Sequence, residues 1–245
     1  MSFFNGLYSY EIVLMVLGVL LFITLLFCLP GLLSKGKSYA GMLPFFVVSV
    51  AMIGYPSLQS FKYKDGEIDV EKKTQELLKD PTNKELRQSL ETQVSNLSAR
   101  PDASSESKVT LARAQFALGN QKEAESNLDK ALATNPTLPA AQDLKRKIEL
   151  TKSLSELTSK VTAKPDDSAA KSELEKTVTQ VNNIGVANPQ TLTEMGKAYK
   201  VLGKHDEALA TVDKALVINP GSPAATQVRA NIKAVQIQPV QPSHQ

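Results

Sequence analysis

The chain has 245 residues, a formal net charge of +3, one cysteine and two histidines. The charge is too small, and the basic residues are too evenly mixed with acids, to indicate a nucleic-acid-binding protein. One cysteine excludes an intrachain disulfide framework and a cysteine-based metal site. The length allows about two units of ordinary domain size, and the composition changes near residue 62. Seven of the eight Phe and five of the six Tyr residues lie in the first 63 positions.

Two uncharged runs fill most of residues 1–63. Ile12 to Ser34 and Tyr39 to Phe61 are each 23 residues long and contain no charged side chain. About 20 mostly apolar residues cross the hydrocarbon core of a bilayer as a helix. We therefore predict two transmembrane helices, at about 12–33 and 39–58, joined by a short turn. A cleaved signal peptide fits less well, because the apolar run is too long and no Lys or Arg precedes it.

Several residues refine this hairpin. Pro44, Gly54 and Pro56 interrupt the second run and predict a bend, or an early end near Tyr55. The small residues in the two runs would allow close approach of helices within a membrane complex. The hairpin therefore has two predicted partners, the lipid bilayer and another membrane protein.

The lysines give two possible membrane orientations. Lys35 and Lys37 lie in the turn, and no basic residue precedes them, which favours a cytoplasmic turn. The C-terminal region would then be extracytoplasmic, in the periplasm of a bacterium. Four lysines just after the second run (Lys62, Lys64, Lys72 and Lys73) favour a cytoplasmic C-terminal region, which stays the alternative. In either case we expect a multi-pass protein of the cell membrane.

A repeated segment dominates the remainder of the chain. Leu111 to Pro136 returns as Met195 to Pro220, with an offset of 84 residues. The matched positions are Gly119 and Gly203, Ala124 and Ala208, Ala131-Leu132 and Ala215-Leu216, and Asn135-Pro136 and Asn219-Pro220. Small residues at these points let two antiparallel helices touch, and the Asn-Pro pair ends the second helix. The pattern resembles the tetratricopeptide repeat, a helix–turn–helix unit of about 34 residues.

The repetition extends beyond these two units. With the same offset, seven positions from Val70 to Leu97 align with Leu154 to Val181, mostly apolar with apolar. We therefore predict a helical repeat domain at 64–236, duplicated as units of about 67–150 and 151–234, with a flexible tail at 237–245. The fold class is all-α: a transmembrane helical hairpin followed by a solenoid of about four helix pairs and a capping helix.

Three finer expectations concern single segments of that domain. The stretch from Pro139 to about Lys164 has no breaker and predicts one long helix joining the two copies. Ser222 to Val235 predicts the capping helix. The segment Asp65 to Asp69 is rich in carboxylates and predicts a solvated linker between the hairpin and the repeats.

Catalytic chemistry finds little support in the sequence. After residue 63 there are two histidines and no cysteine, and neither histidine has a partner at metal-ligand spacing. His205 follows Gly203, where we expect its ring to pack on a neighbouring helix. There is no glycine-rich phosphate loop and no nucleophile-elbow motif. We expect a protein without enzymatic activity, cofactor or metal.

The resemblance to tetratricopeptide repeats implies a binding groove. In that family, partner peptides lie in the concave groove formed by the first helix of each pair. Alignment implies the groove positions Val109, Arg113, Phe116, Thr193, Lys197, Lys200 and Val201, with Glu106, Ala117 and Gln190 beside them. The basic side chains would suit a carboxylate or an acidic segment. The alternative is that these are ordinary exposed helix residues.

Two functions follow from this organisation. The first is a membrane-anchored scaffold or adaptor, an accessory or structural subunit that holds a protein partner within a membrane complex. The second is an assembly chaperone, because two spans followed by tetratricopeptide repeats resemble the assembly factors of bacterial cytochrome c maturation, which present apocytochrome c for haem attachment. Those factors have a long cytoplasmic loop between their spans, whereas this chain has a turn of a few residues.

Overall fold

The structure is a computed structural model that describes residues 7–34, 40–99, 103–186 and 188–237. Regular structure within those ranges is helical, which confirms the all-α prediction. The helices are α1 Ser9–Ser34, α2 Leu43–Lys79, α3 Lys84–Ser98, α4 Ser105–Leu118, α5 Gln121–Thr134, α6 Pro139–Ala163, α7 Ser168–Asn183, α8 Pro189–Val201, α9 His205–Ile218 and α10 Pro223–Ile237. A short 3-10 turn, Ala40–Met42, precedes α2.

Helices α1 and α2 form an antiparallel hairpin. Gly18 faces Met52, and the ring of Phe22 meets that of Phe46 edge to face at 5.7 Å. A Cβ atom on Gly18 would lie 2.9 Å from the Cβ of Met52, so only glycine fits this contact without a shift. Most large apolar side chains of the hairpin point outward and stay exposed. The predicted turn, Lys35 to Ser38, lies outside the described residues.

Helix α2 does not end near Tyr55, and Asp65 to Asp69 is helical rather than a linker. Both expectations were wrong because α2 has a buried stripe that continues beyond the apolar run. The stripe contains Ser49, Pro56, Tyr63, Val70 and Leu77, each seven residues after the last. A seven-residue spacing keeps side chains on nearly the same face of a helix. The first half of α2 therefore belongs to the hairpin, and its second half forms the first helix pair with α3.

The interior of the repeat region is a series of four apolar clusters. The first joins α2, α3 and α4, and the second joins α4, α5 and α6. The third joins α6, α7 and α8, and the fourth joins α9 and α10. Each cluster shares a helix or a packing side chain with the next, which is the construction of a solenoid. The helix pairs are α2–α3, α4–α5, α6–α7 and α8–α9, followed by α10, as the sequence predicted.

The 84-residue offset is visible in the helix boundaries. Helices α7, α8, α9 and α10 each begin 84 residues after α3, α4, α5 and α6. The caps repeat as well: the side chains of Asn83 and Asp167 each accept a hydrogen bond of 2.9 Å from a backbone N–H in the first turn. Such a cap satisfies a donor that the helix leaves unpaired. The expected long helix is confirmed as α6 and the capping helix as α10, while residues 238–245 of the tail lie outside the described part.

Candidate partner-binding grooves

Two cavities lie between the first helices of successive pairs. The first groove has a volume of about 130 Å³, and the second groove has a volume of about 520 Å³. The first groove is lined by Leu78 of α2, Arg113, Phe116 and Ala117 of α4, Asp143, Leu144 and Lys147 of α6, and Ile184, Gly185, Val186 and Asn188 after α7. The second is lined by residues of α6, α8 and α10: Ser155, Thr158, Ser159, Thr162, Ala163, Glu194, Lys197, Lys200, Val201, Ala224, Gln227, Val228 and Asn231.

The two grooves are equivalent surfaces of the two copies. Every residue that α2, α4 and α6 contribute to the first groove has its counterpart, 84 positions later, in the second. The counterparts are Leu78 and Thr162, Arg113 and Lys197, Phe116 and Lys200, Ala117 and Val201, Asp143 and Gln227, Leu144 and Val228, and Lys147 and Asn231. The duplication therefore produced two related sites whose chemistry has diverged.

A loop of the second copy closes the first groove. Ile184, Gly185 and Val186 lie in the turn between α7 and α8, and the φ of Gly185 is +65°. Val186 packs against the apolar cluster of α4, α5 and α6. Under this loop Phe116 is only 6% exposed. Its counterpart Lys200, which no described loop covers, is half-buried.

The charges of the first groove are balanced by ion pairs. Arg113 pairs with Glu71 of α2 at 2.8 Å, and Lys147 pairs with Asp143 on the same helix at 2.9 Å. The hydrogen bond from the Lys147 ammonium holds the pKa of Asp143 below its ordinary value. Each cation in this groove thus has a carboxylate beside it.

The second groove has fewer carboxylates for its cations. Lys197 pairs with Glu194 at 2.7 Å. The positions of Glu71 and Asp143 are taken here by Ser155 and Gln227. Within the described part of the chain, Lys200 makes no ion pair. The groove therefore combines an unbalanced ammonium with an apolar floor.

Hydroxyl groups of α6 line the opposite wall of the second groove. Thr158 and Thr162 donate hydrogen bonds to backbone carbonyl oxygens one turn earlier, at 2.6 and 2.7 Å. Ser159 does the same at 3.0 Å. Their protons are thereby used within the helix, and the hydroxyl oxygens keep lone pairs for a donor. This wall can accept hydrogen bonds from the backbone N–H groups of a bound chain.

The predicted site residues fall into two groups. Lys197, Lys200 and Val201 lie together in the second groove, and Arg113, Phe116 and Ala117 lie together in the first. Val109 and Thr193 are buried and line neither groove; Thr193 donates a hydrogen bond to the carbonyl of Pro189 at 2.7 Å. Gln190 lines a separate surface depression, and Glu106 is exposed. A role for any of them in partner contact stays a prediction.

Sequence reasoning missed the loop that closes the first groove. Its signal was present: Ile184 and Val186 are two aliphatic residues in a connection of only a few residues, where polar residues are usual. Exposed aliphatic side chains in so short a loop usually pack on something. Which surface they cover depends on how the second copy stacks on the first.

Stacked helix pairs of this kind define an α-solenoid, a class that presents extended concave surfaces for binding. Residues 105–138 and 189–222 each match the family model of the tetratricopeptide repeat. The chain therefore contains two tetratricopeptide repeats, one in each copy. Comparison with curated proteins and with solved structures gave no match. Such repeats generally bind other proteins and are not catalytic.

Proposed function

We propose that this chain is a membrane-anchored scaffold or adaptor that holds a protein partner, as an accessory or structural subunit of a membrane complex. The observation that carries the proposal is helix α2. Its first half is apolar and faces outward, and its second half places Tyr63, Val70 and Leu77 in the core of the first helix pair. One helix thus joins the predicted anchor to the solenoid.

The exposure of the hairpin favours a bilayer over a soluble core. Helices α1 and α2 are each long and apolar enough to span a bilayer, and only 17% of the apolar segment of each helix is buried within the chain. A core helix of a soluble protein would be mostly buried. Aliphatic and aromatic side chains such as Val16, Leu20, Phe27, Val47 and Phe45 remain exposed instead. Lipid tails, or the helices of a membrane partner, would cover them.

Cell fractionation tests the anchor, and native purification tests the partner. The full chain should stay in the membrane pellet after washing with alkaline carbonate. This wash disrupts electrostatic attachment to the membrane surface, whereas helices inserted in the hydrocarbon core are retained. Purification in mild detergent should then recover a protein partner in fixed stoichiometry, identified by mass spectrometry. Release of the chain into the carbonate supernatant, or recovery of the chain alone, would contradict the proposal.

The assembly chaperone, for example for apocytochrome c, differs from the scaffold in the lifetime of its complex. A scaffold co-purifies stably, whereas a chaperone is captured only by crosslinking during synthesis of its client. We propose an extracytoplasmic repeat domain from the lysines of the turn, with a cytoplasmic one as the alternative. Protease added to cells with a permeabilised outer membrane and an intact inner membrane would digest an extracytoplasmic repeat domain. It would leave a cytoplasmic repeat domain intact.

A further inference from the structure

We infer that the second groove binds a turn of a partner protein that presents an aliphatic side chain next to a carboxylate. The inference rests on the proposed partner-binding function and specifies its ligand. Its basis is that the chain itself shows how a turn can lie on this surface. The equivalent first groove is lined on one side by the turn Ile184–Gly185–Val186, and Val186 packs against its apolar cluster.

The first groove shows what shape of ligand this surface accepts. A three-residue turn, with Gly185 in a left-handed conformation, lines this groove together with residues of α2, α4 and α6. Its Val186 reaches the apolar cluster below. The remaining volume is about 130 Å³, against about 520 Å³ in the second groove, which no described segment fills. The second groove therefore has room for a turn of similar size.

The apolar part of the site is kept in the second copy. Ala117 and Leu144 are replaced by Val201 and Val228, which are also aliphatic. Val201 is half-buried and Val228 is 7% exposed, so both offer a partly covered apolar floor. Burying one aliphatic side chain against such a floor contributes favourably to binding. The ligand should accordingly keep the aliphatic residue of the internal turn.

The polar part of the site has changed toward positive charge. Lys200 stands where the first copy has Phe116, and the carboxylates of Glu71 and Asp143 have become Ser155 and Gln227. The internal turn carries no charge, which suits the balanced first groove. The second groove presents Lys200 without a carboxylate partner in the described part, so its ligand should supply one. An acidic residue next to the aliphatic one satisfies both features.

A displayed library of random seven-residue peptides provides the probe. The library is selected on the full chain in lipid nanodiscs, and bound peptides are then measured by fluorescence anisotropy. We expect enrichment of peptides with an aliphatic residue adjacent to Asp or Glu. Lys200→Glu should weaken their binding about tenfold or more. Lys176→Glu makes the same charge change on the exposed side of α7 and should alter binding by less than about twofold.

Five results would overturn the inference, and the fifth leaves the proposed function intact. The first is that the unchanged chain enriches no peptides beyond those enriched by the Lys200→Glu chain. The second is that the enriched peptides contain no acidic residue. The third is a chain ending at Ile237 that binds the peptides about tenfold more tightly, because the tail would then be the occupant. The fourth is self-association that Lys200→Glu abolishes, which would make a second copy the occupant. If the native complex still forms and survives Lys200→Glu, this inference fails while the proposed function stands.

Discussion

Gly196 lies at a close contact between two helices of the second copy. A Cβ atom there would lie 2.2 Å from Cγ2 of Val212, across the contact of α8 with α9. The first copy has Ala112 and Leu128 at these two places, and both are buried. Leucine branches one carbon further from the backbone than valine. The first copy thus accommodates a methyl group that the second cannot.

Gly196→Ala should lower the free energy of unfolding by about 1–3 kcal/mol, because overpacking forces side chains out of their rotamers. Adding Val212→Leu recreates the pair of the first copy and should restore most of that loss. Gly221→Ala serves as the control, since its Cβ would meet only ordinary contacts and the first copy has Thr137 there. Denaturant unfolding of the purified chain measures all three variants. An unchanged stability in Gly196→Ala, or no rescue by Val212→Leu, would refute this packing argument.

Glu67 gives the solenoid a pH dependence. Its Oε1 atom is buried and has no hydrogen-bond partner among the residues that the structure describes. Burial raises the pKa of Glu67 from 4.5 to about 7; the neighbouring Lys64 opposes the shift and Glu106 adds to it. The folded state therefore binds a proton more tightly than the unfolded state does. The associated stabilisation is complete below pH 4.5 and is lost as the pH rises toward 7.

We expect the free energy of unfolding to fall between pH 4.5 and 7, by on the order of 1 kcal/mol because the side chain is partly solvated. Glu67→Gln keeps the shape of the protonated side chain and cannot ionise. It should flatten this part of the profile and be the more stable form above pH 7. Denaturant unfolding across the pH range measures the effect, and parallel profiles for the two proteins would rule it out.

The site residues show what sequence could and could not predict. Alignment with tetratricopeptide repeats assigned Lys197, Lys200 and Val201 to a groove surface of one helix, and they do line a common groove. The same alignment assigned Val109 and Thr193 to a groove surface, but both are buried. Helix periodicity predicts on which face of a helix a residue lies, but it does not predict how deeply the side chain is buried. That depth depends on the neighbouring helices.

At the scale of elements, α2 was the largest departure from expectation. Pro56 and Gly54 argued for an end near Tyr55, and the acidic residues that follow argued for a linker. The seven-residue spacing of buried positions outweighs these local signals, because it lets the helix pack on α1 and then on α3 and α4. Asp69 also pairs with Lys73 at 3.0 Å and accepts a hydrogen bond from Gln93 of α3. Tertiary contacts override helix propensity here.

Ile68→Pro tests the continuity of α2. Ile68 is 68% exposed, so the change removes a backbone hydrogen bond and little packing. We expect a loss of about 3 kcal/mol in the free energy of unfolding. Trypsin should then cleave rapidly after Lys62 or Lys64, whereas both sites should resist cleavage in the unchanged helix. Ile68→Ala keeps the helix and should stay uncut under the same conditions. If the unchanged chain were cut there as fast as Ile68→Pro, the segment would be a linker after all.

At the scale of the whole molecule, the duplication accounts for how the hairpin is connected to the solenoid. Helix α6 enters the second copy from the first, and α2 enters the first copy from the hairpin. The start of α1 lies beside the end of α3, where the hydroxyl of Tyr8 donates a hydrogen bond of 3.3 Å to the carbonyl of Ala99. The residue that precedes α1 thus contacts the end of α3, in addition to the covalent connection through α2. A bilayer around the hairpin would hold the grooves at a fixed orientation to the membrane.

The only cysteine allows this account to be tested without any substitution. Cys28 lies in the first predicted span, and its side chain is exposed on the hairpin surface. Maleimide reacts with the thiolate, which forms in water and not in hydrocarbon. We predict that Cys28 in native membranes stays unlabelled until the membrane is dissolved in denaturing detergent. Labelling in intact membranes as fast as in the denatured sample would show that water surrounds the hairpin and would contradict a bilayer anchor.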